Sequence, residues 1–252
     1  MNEEEYPVLK KTQQKHRFDE FDQHVSLWNV VPAGKGHSLV VLRKIADGIH
    51  NGTFKKSPSV LIAGEGARTL GMALANTLCS EDVRQCDAKY LNNTRSQIEH
   101  FAESLFDTVH IISNVNTIGM GEGVLWHFLR NGNYKFQSFD GAYCQYVYVH
   151  GILCLCCNDM KSVSPSLLAI VDHKITVEPY THQQLELMVH QRLAFCGVDY
   201  EDDEGVLVTI VKHGDAQMNQ IIDVLRMCVL LVQAEGRSVL DVSVVERAVR
   251  LL

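Results

Sequence analysis

The residues of this chain best placed to do chemistry sit at the ends of short apolar runs. Ser59-Val-Leu-Ile-Ala63 leads into Gly64-Glu65-Gly66-Ala67-Arg68-Thr69-Leu70-Gly71. A glycine-rich turn between a strand and a helix can aim backbone N–H groups at a phosphate, and Arg68 could add a positive charge from within it. A lone glycine-rich loop is a weak signal, and a strand-to-helix turn with no ligand explains the same residues. Thr108-Val-His-Ile-Ile112 is followed by Ser113-Asn114, and Ile152-Leu-Cys-Leu-Cys156 by Cys157-Asn158. Ser and Asn form hydrogen bonds, but they carry no charge and cannot act as bases near neutral pH. Cys154, Cys156 and Cys157 resemble metal ligands at first sight. On a strand, however, Cys154 and Cys156 share one face while Cys157 points to the other. No Cys-x-x-Cys pair follows, so buried free thiols are the better reading and no metal site is expected. Cys79 and Cys86 are isolated. The 12 histidines are scattered, and His182 and His190 read as surface residues of the C-terminal helices.

These residues need elements to position them. Ser38–Ile49 has a helical apolar period, after a turn at Pro32-Ala-Gly-Lys-Gly36. Short buried strands are expected at Ser59–Gly64, Thr108–Ile112, Ile152–Cys156 and Lys174–Val177, with an alternating strand at Tyr143–Val149. Helices are expected at Leu70–Leu78, Ile98–Leu105 and Gly123–Leu129, and the stretch Cys79–Asn93 reads as polar. After Pro179 the period becomes helical throughout. Thr181–Phe195 has Thr181 as its N-cap and Gly197 at its end, and Glu204–Lys212, Ala216–Gln233 and Asp241–Leu252 follow. Strands alternating with helices imply a parallel sheet, so the fold class is α/β followed by a small all-helical domain. Three regions result: a polar leader over residues 1–17, an α/β domain over 18–178 and a helical domain over 179–252. A solvated tail is the better reading of the leader, despite Lys10, Lys11, Lys15 and Arg17.

Composition narrows the function classes. The chain has 252 residues, 46% hydrophobic and 21% charged, which is ordinary globular usage and argues against disorder. A formal net charge of -7 argues against tight nucleic-acid binding over the whole surface. The eight cysteines, with no secretory signal, point to a reducing cytoplasmic compartment rather than a disulfide framework. No apolar run reaches membrane-spanning length.

The order of these pieces resembles the AAA+ ATPases, and within them the RuvB family of Holliday-junction branch-migration motors, from about Phe18 to Leu252. The resemblance implies a P-loop-type parallel sheet with flanking helices and a helical lid. It places the family's phosphate loop on Gly64–Gly71, with the lysine position at Leu70 or Gly71. The acidic pair that holds metal and polarises water falls on Ser113 and Asn114. Asn158 matches the first sensor, and Ser164-Pro165 the segment after it. The family's arginine-finger positions fall near Leu167 and Ala169. His213-Gly-Asp-Ala-Gln217 resembles the second-sensor segment, with Gln217 in place of arginine. The winged-helix domain that the family carries beyond the lid has no counterpart in the sequence. Lysine, acidic pair, finger and second sensor are thus altered together, which typically costs factors of about 10³ or more in rate. The resemblance therefore implies a degenerate, non-catalytic module acting as a structural or regulatory part of a multiprotein assembly, with DNA processing as its setting. Its partners would be other protein subunits, without tight DNA binding. No cofactor is expected, although weak ATP or ADP binding is left open. Two alternatives stand beside it. One is a weakly active ATPase that borrows Arg68. The other is an S-adenosylmethionine-dependent methyltransferase, which Val60–Arg68 and Phe106–Asn114 also resemble.

Overall fold

The computed structural model describes residues 17–54, 56, 58–78, 83–92, 109–119, 121–137, 144–148, 152–201 and 205–252. The helix expected at Ile98–Leu105 lies outside the described residues. In chain order the first elements are α1 (Phe21–His24), α2 (His37–His50), β1 (Ser59–Ala63), α3 (Ala67–Leu78), β2 (Val83–Asp87), β3 (Val109–Ser113) and α4 (Gly121–Asn131). Then come β4 (Asn133–Gln137), β5 (Cys144–Tyr148), β6 (Leu153–Cys157), α5 (Pro165–Ile170) and β7 (His173–Thr176). The last are α6 (His182–Phe195), β8 (Asp199–Tyr200), α7 (Gly205–His213), α8 (Met218–Ala234), β9 (Val239–Leu240) and α9 (Val242–Arg250). The chain divides into two compact units, one within Gly36–Glu178 and the other combining described residues 17–35 with those of Pro179–Leu252.

The first unit is built on a five-stranded sheet in the order β2-β3-β6-β1-β7. Every pairing in it is parallel. β1 and β6 are buried along their whole length, which is why they read as unbroken apolar runs. One face carries Leu61, Ile112, Leu155 and Cys157, which pack with Leu125 and Phe128 of α4 and Leu167 of α5. The other face is covered by α3, which lies against β1, β3 and β6. Each fully buried leucine here contributes about 1.5–3 kcal/mol of transfer free energy. β2, at one edge of the sheet, escaped the sequence reading because it is polar: Arg84 and Gln85 are exposed and the apolar signal is missing. At the opposite end of the strands, the Ser59 N–H and hydroxyl both donate to Asp172 Oδ2, at 2.9 and 2.8 Å, tying β1 to the start of β7. β4 and β5 form a separate antiparallel ribbon.

The second unit packs α6 to α9 around Leu193, Ile210, Leu225, Val229 and Val245, all fully buried or nearly so. α6 starts in a reciprocal cap: the Gln184 N–H donates to Thr181 Oγ1, and the Thr181 N–H donates to Gln184 Oε1. α9 is capped by Asp241, whose Oδ1 accepts from the Val244 N–H at 2.9 Å. One feature breaks the helical pattern expected here: β8 and β9 pair in parallel over two residues each. A pairing that short leaves no periodicity to read. Residues 18–35 also group with this unit, where the sequence pattern placed them in the α/β domain. Phe21 explains why: it is buried edge-on against Phe195 of α6, with ring centroids 5.4 Å apart. No helix among the described residues is long and apolar enough to cross a membrane.

Candidate functional site

The strand ends of the first unit gather the residues singled out by the sequence. Parallel register puts Ala63 of β1 opposite Cys157 of β6, and Asp87 of β2 opposite Ser113 of β3. The turn after β1 is short. The expected loop ran to Gly71, but α3 begins at Ala67, so Ala67, Arg68, Thr69, Leu70 and Gly71 are helical. Gly64 and Gly66 have φ of 122° and 78°, values that glycine adopts without a Cβ penalty. The Gly64 N–H donates to Cys157 O at 3.0 Å, and a Cβ on Gly64 would lie 2.9 Å from Val177 O. The turn is thus drawn against the neighbouring strands.

Both candidate lysine positions face inward. Leu70 is fully buried. A Cβ on Gly71 would lie 2.9 Å from Cys156 Sγ and 3.2 Å from Cys154 Sγ. At Gly71, α3 therefore lies close against the sheet. Cys154 and Cys156 share this face, while Cys157 belongs to the opposite one. The Cys156 thiol donates to Ala67 O at 3.5 Å. Its hydrogen bond with Cys154 and then its burial raise it well above the ordinary thiol range, with Arg68 acting in the opposite sense. Burial pushes the Cys157 thiol up to about 11. These are inert thiols, as free cysteines in a core usually are.

Arg68 is engaged with the edge strand: its Nη2 donates to Gln85 Oε1 at 2.9 Å. Ser113 Oγ donates to Cys86 O at 3.2 Å. Asn114 takes the left-handed conformation, φ 55°, and its Nδ2 donates to Asp87 Oδ2 at 2.9 Å. Burial alone would raise the Asp87 carboxyl. The Lys89 N–H, the Asn114 amide and the Lys89 ammonium outweigh it and hold the group below the usual carboxylate range. Sequence reading missed Asp87 because it ends a polar edge strand with no apolar run to mark its register. Asn158 is exposed directly after β6. Ser164 caps α5, accepting from the Leu167 N–H at 3.2 Å, and its hydroxyl donates to Glu122 Oε1. Leu167 is buried in the core, whereas Ala169 is exposed.

In the second unit, Gln217 precedes α8 with an exposed side chain that makes no capping hydrogen bond. The turn before it carries Asp215 and Ala216 at φ 49° and 54°. His182 is exposed, and a ring nitrogen of His190 lies 3.0 Å from the Tyr200 hydroxyl. Cys86 is half-buried, and Cys79 lies outside the described residues. No cluster of three metal-ligating side chains occurs among the described residues.

A parallel sheet in this order, a glycine turn and helix after its first strand, and an appended helical unit are the arrangement of the AAA+ fold. No family model matches the sequence, and no curated protein matches it. Solved structures do. The Thermotoga maritima RuvB Holliday junction branch migration motor superposes with a TM-score of 0.66 at 14% identity, covering 95% of this chain and 72% of that one. Two point mutants of the same protein give TM-scores of 0.69 and 0.70, each at 16% identity, covering 90% and 92% of this chain and 72% and 73% of theirs. The chain thus has the RuvB AAA+ fold. The methyltransferase alternative is not favoured. In a doubly wound dinucleotide sheet the first strand lies between the second and fourth, whereas here β1 lies between β6 and β7.

Proposed function

We propose that this chain is a RuvB-like AAA+ protein that does not hydrolyse ATP and serves as a structural or regulatory component of a multiprotein assembly. The observation that carries this reading is the closure of the helix after the glycine turn. Leu70 and Gly71, the two candidate lysine positions, both pack inward against the sheet. A lysine there could not reach phosphates without unpacking α3. The remaining residues fit Mg²⁺-ATP poorly for a second reason. Ser113 and Asn114 are committed to Cys86 O and Asp87, and neither supplies a carboxylate to a metal. Leu167 is buried and Ala169 uncharged, so neither offers a finger to a neighbouring subunit. Gln217 brings no charge from the helical unit. With these groups the protein's own contribution is a stable platform, and its natural work is holding other subunits, with DNA processing the setting suggested by the fold likeness. The acidic balance, -7 in total, favours protein partners over tight DNA binding, and the free thiols suit a reducing cytoplasm.

Calorimetric titration with ATP, with and without Mg²⁺, tests the reading. Weak binding at best, little changed by Mg²⁺, is expected. Micromolar affinity that depends on Mg²⁺ would contradict it and move the functional loop elsewhere.

A further inference from the structure

β7 is the outer strand beside β1, and among the described residues only β1 pairs with it. Along such a strand, successive residues turn their backbone groups alternately inward and outward. The Val177 N–H donates to Ala63 O at 2.7 Å, which carries the ladder one residue past β7 and fixes the alternation. His173, Ile175 and Val177 therefore face β1, while Lys174 and Thr176 turn their N–H and C=O groups outward. Among the described residues nothing bonds these four groups, and both residues are exposed. An open edge of this kind is a template for another strand. Neither a proline nor a bulge interrupts His173–Val177, so Lys174 alone could guard it. α2, which packs beside β7, adds apolar surface. Val40 and Val41 on it are 49% and 43% exposed, although β-branched residues are poor helix formers.

We propose that this edge pairs with the same edge of a second copy of the chain, antiparallel about a two-fold axis at Thr176. Charge identifies the occupant. In antiparallel self-pairing the numbers of facing residues have a constant sum. With Thr176 facing its own copy, Lys174 faces Glu178 of the second copy, and Glu178 faces that copy's Lys174. Ile175 faces Val177 in the same way. Both ends of the interface thus carry an opposite-charge pair, and Lys174, which would repel a basic strand, stabilises this one. The paired residues 174–178 exchange about six backbone hydrogen bonds, two at each facing pair of outward residues. An interface built on so short a ribbon lies at the low end of contact size, so the association is reversible. The edge belongs to the α/β unit and uses no residue of the glycine turn, so the inference stands or falls independently of nucleotide binding.

Sedimentation of the full chain, from micromolar to near-millimolar concentration, tests this. A reversible monomer–dimer equilibrium is expected. Lys174→Glu sets glutamate against glutamate at both ends of the interface and should weaken the dimer about tenfold or more. Combining Lys174→Glu with Glu178→Lys exchanges the charges and should restore it to within about threefold of wild type. Thr176→Pro removes an outward N–H and should abolish the dimer, while the circular dichroism of the monomer stays unchanged. If Thr176→Pro unfolds the chain, the charge exchange still decides, because Lys174 is exposed and its reversal leaves the core untouched. A chain that stays monomeric throughout overturns the proposal and leaves Lys174 as the guard of a bare edge. An oligomer that Lys174→Glu leaves intact, or that the charge exchange does not restore, overturns it too, since association would then run through another face.

Discussion

Gly71→Ala puts the close approach of α3 to the sheet to a quantitative test. The new Cβ would sit 2.9 Å from Cys156 Sγ and 3.2 Å from Cys154 Sγ, both on a fully buried strand that cannot retreat. Overpacking of this kind costs about 1–3 kcal/mol. Against it, alanine is favoured over glycine inside a helix by about 1 kcal/mol. The net expectation is a loss of up to about 2 kcal/mol. Removing the sulfurs should reverse the sign: in a Cys154→Ala, Cys156→Ala background only the helix term remains, and Gly71→Ala should gain about 1 kcal/mol. Urea unfolding of the four proteins gives the coupling directly, and about 1–3 kcal/mol is expected. If Gly71→Ala stabilises the wild-type chain and the thiol-free chain equally, α3 does not pack on β6 as described. The argument against a lysine at this position would then fall as well.

Three further outcomes are expected. Ala216→Gly should stabilise by about 0.5–1 kcal/mol, since φ 54° penalises a Cβ by about 1–2 kcal/mol and glycine costs about 0.5–1 kcal/mol in unfolded-chain entropy; thermal unfolding measures it. Asn114→Asp should replace a hydrogen bond to Asp87 with carboxylate repulsion, lowering the urea midpoint at pH 7, with a deficit that shrinks towards pH 4 as the pair takes up a proton. Burial alone would raise the Asp172 carboxyl, but the Ser59 N–H and hydroxyl and Lys56 hold it below the usual range. A depressed carboxyl stabilises the fold fully above its unfolded pKa of about 3.9, and that contribution is lost as pH falls through the folded value. The stability advantage of wild type over Asp172→Asn should therefore be complete at pH 7 and fade below about pH 4; a constant difference across that range would show that Asp172 does not act through its charge.

How much of this was legible in the sequence depended on burial. β1, β3 and β6 are buried on both faces, so their apolar runs located them to within a residue or two. Thr181 announced its helix because capping needs an oxygen at one position. The start of α3 was misjudged by three residues, since the glycine turn invited a long phosphate loop, whereas Ala67, Arg68 and Thr69 continue into the helix. β2 and its Asp87 were missed because Arg84-Gln-Cys-Asp87 is polar and no residue of it is fully buried, whereas β7, at the other edge, keeps a short apolar pattern in Ile175 and Val177. The place of the Phe18–Asp22 segment beside α6 was also hidden. Phe18 and Phe21 showed that the fold begins there, but nothing local reveals that Arg192, far along the chain, is what they pack against.

The central claim is that the glycine turn and strand ends cannot drive phosphoryl transfer, and ATP turnover by the purified chain tests it most directly. With saturating ATP and Mg²⁺, no phosphate release above background is expected, and Arg68→Ala should change nothing. Turnover on the order of 1 s⁻¹ or faster, abolished by Arg68→Ala, would contradict the account and show that Arg68 leaves Gln85 to serve a working site.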